Sequence, residues 1–150
     1  MKLAEALNLR ADTQKRISQL RERINNNMKV QEGDKPAEQP SALFAELDDL
    51  LINLRDLIVR INITNTRTDV DGMTITELLA RKDVMKMQLD AYRSAYSKAI
   101  ISYERYSRNE IRFTSTVDGV SLQKKIDKLS KDYRELDMKI QQINWLTELL

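Results

Sequence analysis

Apolar residues recur three and four positions apart over long stretches of the chain. Between residues 41 and 62 they fall at Leu43, Leu47, Leu50, Leu54, Leu57 and Ile61. Phe44, Leu51 and Ile58 add a second row at intervals of seven. A stripe this wide is what a helix of a packed bundle needs. A third segment carries Ile75, Leu78, Lys82, Met85, Leu89, Tyr92, Tyr96, Ala99, Tyr103 and Tyr106. A fourth carries Leu122, Ile126, Leu129, Tyr133, Leu136, Ile140, Ile143, Leu146 and then Leu149 or Leu150. Both read as nearly unbroken heptad seams. The first segment is weaker: Leu3, Leu7, Ile17, Leu20 and Ile24 share a face that Arg10, Thr13 and Gln14 interrupt.

The pattern predicts four helices, at about residues 2–27, 41–62, 75–108 and 119–149, in one helical domain spanning 1–150. The expected fold class is all-α: an antiparallel bundle of four long helices with coiled-coil-like packing. Boundary chemistry agrees. Ser41 after Pro40 suits a helix start. Thr74 with Glu77 fits a capping box, and Met73 and Leu78 sit where a hydrophobic staple packs. Asp118-Gly119 followed by Ser121 marks entry to the fourth helix.

Three segments, 28–40, 62–73 and 109–118, read as loops. The first contains both prolines and Gly33, and the second is rich in Thr and Asn and ends at Gly72. Residues 111–117 alternate and are β-branched, so a short strand there is expected to pair with part of 62–68. At 1.5 Å per residue the third and fourth helices reach about 45–50 Å, well beyond the second at about 30 Å. Seams that outrun their neighbours are expected to be covered by a second copy, which makes the chain a homo-oligomer.

Composition removes much chemistry. The 150 residues include no Cys and no His. Disulfides, thiolate metal sites and a cysteine nucleophile are absent, as are the commonest general base and zinc ligand. No catalytic, cofactor-binding or metal-ligating residue is expected. The net charge is +2, too balanced for the basic footprint of a nucleic-acid binder. No apolar run approaches the roughly 18 residues of a membrane span, and Met1-Lys2-Leu3-Ala4-Glu5 is not expected to open a signal peptide. A cytoplasmic location is expected, and the Asn62-Ile63-Thr64 glycosylation sequon is read as chance.

Several local features invite a functional reading. Asp69-Val70-Asp71-Gly72 looks like the start of a calcium loop, but Ala80 stands where the twelfth-position Glu belongs, so a turn is expected. Asp48 and Asp49 lie beside the seam and are expected to face water. Residues 75–117 carry eight basic and five acidic groups. There Arg93, Arg105, Arg108 and Arg112 accompany Tyr92, Tyr96, Tyr103 and Tyr106, a mixture able to neutralise and stack on a single-stranded nucleic acid. Heptad placement favours core packing for the tyrosines. Lys82, on a seam, is expected to lay its stem on apolar surface or to fix register. Trp145 is expected in the core.

A set of short motifs runs the length of the chain: Met1-Lys2-Leu3-Ala4-Glu5-Ala6-Leu7, Val30-Gln31-Glu32-Gly33, Arg60-Ile61-Asn62, Phe113-Thr114-Ser115-Thr116-Val117-Asp118, Tyr133-Arg134-Glu135-Leu136-Asp137 and Ile140-Gln141-Gln142-Ile143-Asn144-Trp145. Together they resemble the bacterial septicolysin-like family of small helical proteins. The resemblance implies a helical fold and, by the family's label, a membrane-active cytolysin. It brings no catalytic residue. The residues themselves favour a self-assembling structural or interaction module without catalysis.

Overall fold

The computed structural model describes residues 1–100 and 113–150. Four helices account for 76% of the described residues, with one small antiparallel sheet. They are α1 (Leu3–Asn26), α2 (Pro40–Arg67), α3 (Ile75–Ala99) and α4 (Gly119–Leu146), with β1 (Asp69–Val70) and β2 (Met73–Thr74) between α2 and α3. The chain is mainly all-α, as the periodicity predicts.

The chain divides into two compact units: residues 1–75 with 141–150, and residues 76–140. In the first, α1 and α2 run antiparallel. Leu20 and Ile24 of α1 pack with Leu43 and Leu50 of α2, flanked by Ile17 and Leu47. The seam continues to Leu57 and Ile61, both buried. Asn27, at the end of α1, fastens the loop that follows. Its amide donates to the Arg23 carbonyl at 2.8 Å, and its side-chain oxygen accepts from the Glu38 N–H at 2.9 Å. Arg23 donates to the Glu38 carboxylate from Nε at 3.1 Å.

In the second unit α3 and α4 also run antiparallel. Lys82 meets Asp137, Arg93 meets Ser130, and Tyr92 meets Lys125, so positions rise on one helix as they fall on the other. Leu78, Leu89, Ile126 and Ile140 are buried here. Helix α4 starts as its cap predicts. The Asp118 carboxylate accepts from the Val120 N–H at 3.0 Å and the Ser121 hydroxyl at 2.7 Å. These bonds, the Ser121 hydroxyl first, hold the Asp118 carboxyl below the usual carboxylate range.

Four expectations need correction. Helix α2 continues through 62–67, where a loop was expected. The Thr64 hydroxyl donates to the Arg60 carbonyl at 2.8 Å and that of Thr66 to the Asn62 carbonyl at 3.0 Å. Turning these side chains back onto the helix removes their competition with it. At its other end α2 begins at Pro40 rather than Ser41, because a proline at the first helical position gives up only an N–H that has no helical partner.

The strand pair also lies elsewhere. Residues 113–117 form no strand, and 62–67 are helical. The sheet is instead a local hairpin in which Asp69 pairs with Thr74 and Val70 with Met73. Its two-residue turn places Asp71 at φ 56° and Gly72 at φ 81°. Positive φ at both positions matches the twist of the flanking strands, and Asp-Gly is a favoured pair for it. The Asp69 carboxylate accepts from the Gly72 N–H at 3.0 Å. The turn expected at Asp69–Gly72, rather than a calcium loop, is thus present.

Finally, α4 ends at Leu146 rather than 149. The following residues pair with the start of the chain: the Leu3 N–H donates to the Thr147 carbonyl and the Leu149 N–H to the Met1 carbonyl, both at 2.9 Å. Helix α3 is described to Ala99; the expected continuation over 101–108 and residues 111–112 of the expected strand lie outside the described residues.

Candidate functional site

Two regions are candidates from their sequence chemistry, and a third, the outer side of α2, emerges from the structure. The first is the tyrosine and arginine stripe. Tyr92 and Tyr96 are half-buried on α3, with the Lys125 ammonium 4.7 Å from the Tyr92 ring centre. Arg93 is exposed and donates to the Ser130 hydroxyl at 3.2 Å. Arg105, Arg108, Arg112, Tyr103 and Tyr106 lie outside the described residues. The structure thus places one of the four arginines and ties it to α4.

An open cleft of about 560 Å³ lies beside this stripe. Ala91, Ala95 and Leu122 give it apolar walls, and Tyr92, Lys98 and Thr114 supply its polar groups. The alanines of α3 open this space because a methyl group leaves the helix backbone nearly bare on that side. The Ser115 hydroxyl, at the same end, donates to the Val117 carbonyl at 3.0 Å.

Lys82 resolves into an ion pair. Its ammonium lies 2.9 Å from Asp137 Oδ1 across the α3–α4 pair, with both side chains partly buried. The bond to Asp137 raises the Lys82 pKa above the ordinary lysine value. The lysine therefore stays charged, which suits a register-fixing contact and not a nucleophile. Asp48 and Asp49 face water as expected. Among the described residues, no group of three or more acidic side chains is placed to hold a metal ion.

The third region is the outer side of α2. The buried seam occupies one face. On the far side Phe44, Leu51, Ile52, Val59 and Ile63 are each 37–49% exposed. Asp48 and Arg55 lie between them, both exposed, and Arg55 pairs with its neighbour Asp56 at 2.8 Å. The sequence reads Phe44, Leu51 and Ile58 as part of the packed stripe; the structure corrects this, leaving Phe44 and Leu51 each 45% exposed and Ile58 half-buried. The other row, Ala45, Ile52 and Val59, was missed because it sits beside the polar positions.

Trp145 is a correction. It is 56% exposed, and its neighbour Leu146 is open as well. It is expected to anchor the last turn of α4 in a core, but that turn buries Ile143 and leaves the indole and the seam residue Leu146 facing outward.

A family model matches residues 10–149, and its description is Family of unknown function (DUF6847). The chain belongs to this family. The resemblance to the septicolysin-like family is thereby overturned, and the cytolytic activity implied by that label goes with it. The motifs quoted for it lie largely within the DUF6847 match. A solved structure, described as that of a functionally unknown conserved protein from Corynebacterium diphtheriae, is 40% identical. It covers 100% of this chain and 99% of its own, with a TM-score of 0.92. No curated protein matches the chain. Among the described residues, no helix is long and apolar enough to cross a membrane.

Proposed function

We propose that this DUF6847 protein is an interaction module that associates with copies of itself. The observation that carries the reading is the outer face of α2, where five large apolar side chains stand open to water. Single exposed apolar residues are ordinary. Two rows of them on one helix face, with Asp48 and Arg55 between, mark a surface that another protein covers. The charge balance of the chain and the absence of Cys and His favour this reading over a catalytic one.

Sedimentation over a concentration range from roughly 1 to 100 μM, the span where modest interfaces dissociate, tests it. The expected result is a mass that rises with concentration toward a multiple of the single chain. A constant single-chain mass at every concentration overturns it.

A further inference from the structure

The outer face of α2 has an internal symmetry. At 100° per residue, Phe44, Leu51 and Ile58 form one edge of the face, and Ala45, Ile52 and Val59 form the other. A polar row, Asp48 and Arg55, runs between them. The midpoint of the first row is Leu51 and that of the second is Ile52. The midpoint of Asp48 and Arg55 falls between those two residues. All three rows are thus centred within one helical rise, about 1.5 Å, of a single point.

We infer that α2 pairs antiparallel with α2 of a second copy, about a twofold axis that crosses the helix between Leu51 and Ile52. The inference rests on the self-association reading above and names the surface and register it uses. In an antiparallel pair about such an axis, each row meets its own counterpart running the other way. Leu51 meets the partner's Leu51, and Ile52 meets the partner's Ile52. Phe44 meets the partner's Ile58, and Val59 meets the partner's Ala45. Asp48 then faces the partner's Arg55, and the same contact recurs by symmetry.

The charges supply direction. A parallel pairing in register would set Asp48 against the partner's Asp48 and Arg55 against the partner's Arg55, two like-charge contacts in an apolar setting. Antiparallel pairing turns both into attractions. The Arg55 fork has donors to spare beyond its exposed contact with Asp56. Polar residues within an apolar seam commonly set orientation in this way, at some expense in affinity. The contact is one helix wide and falls below the roughly 1,600 Å² of a standard interface, so a dimer of modest strength is expected.

Charge reversal and cross-linking on the full chain test this. Asp48→Arg and Arg55→Asp are each expected to weaken self-association by roughly tenfold or more. The double variant Asp48→Arg/Arg55→Asp is expected to return within about threefold of the original, because the attractions are restored in reverse. The chain contains no Cys, so an introduced one reports alone. Ile52→Cys is expected to form a covalent dimer under mild oxidation, and Asn53→Cys, on the opposite side of the helix, is not. A dimer indifferent to both charge reversals, or cross-linked through position 53 and not 52, overturns the inference while self-association stands. A single-chain mass at every concentration overturns both.

Discussion

Gly72 occupies a backbone region at φ 81° that side-chain-bearing residues avoid, although a Cβ there would touch nothing within 4 Å. The strain is therefore conformational and not steric. Gly72→Ala is expected to lower stability by about 1 kcal/mol, read by urea unfolding, with the helical signal unchanged. At the same scale, ionisation sets how stability follows pH. Glu38 is held below the usual carboxylate range by its bond to Arg23, Asp118 by Ser121, and Glu148 by Lys2 and then by the amino group of Met1. A carboxylate that titrates lower in the folded chain stabilises it above the unfolded value. That contribution is lost as pH falls through the lowered folded value. Thermal midpoints should therefore decline below about pH 4. The combined variant Glu38→Gln/Asp118→Asn/Glu148→Gln should start lower and decline less. Lys82 acts on the opposite limb. Raised by Asp137, it stabilises fully below the ordinary lysine value and loses this as pH climbs past it. Lys82→Met should lower stability by about 1 kcal/mol or less at neutral pH and remove that alkaline loss.

Among the elements, α2 carries the most structural weight in its unit. Its seam closes on Leu20, which is fully enclosed. Leu20→Ala is expected to cost about 2–4 kcal/mol by leaving a cavity between α1 and α2, measured by chemical unfolding. The seam itself was legible, because Leu43, Leu50, Leu57 and Ile61 are buried where periodicity placed them. The end of the helix was not. Asn62, Thr64, Asn65 and Thr66 read as loop because their side chains compete with the backbone in isolation. In the folded unit Thr64 is 0% exposed, and its hydroxyl both donates to the Arg60 carbonyl and accepts from the Leu150 N–H, at 2.8 and 3.0 Å. Residues 86 positions apart thus decide a helix end. Thr64→Val keeps the shape but strands that N–H, and about 1–2 kcal/mol of stability should be lost.

For the molecule as a whole, the segment after α4 joins what the sequence keeps furthest apart. Lys2 bridges Glu148 at 2.6 Å and donates to the Leu146 carbonyl at 3.1 Å. The Arg60 guanidinium donates to the Leu150 carbonyl at 2.8 Å, and Leu149 is buried. Removal of residues 147–150 takes away the Glu148 and Leu150 bonds and the buried Leu149 together, and leaves the Leu3 N–H without the Thr147 carbonyl. A drop in thermal midpoint larger than that of Thr64→Val is expected, with α1 exchanging its amide hydrogens faster than α2. The interaction surface belongs to this scale too. One of its apolar rows was visible as a heptad. Its standing as a surface was not, since periodicity alone does not say which of two stripes on one helix is covered.

By itself the sequence determined the helical class, three of the four seams, the Asp118 cap, the turn at Gly72 and the chemistry that lacks Cys and His. These follow from spacing and residue type, which act locally. The tertiary structure decided that 62–67 are helical, that the strands pair within 69–74, that Trp145 faces water and that the far side of α2 stays open. Burial and the pairing of backbone donors depend on groups brought from distant parts of the chain, and periodicity names a face without naming its neighbour.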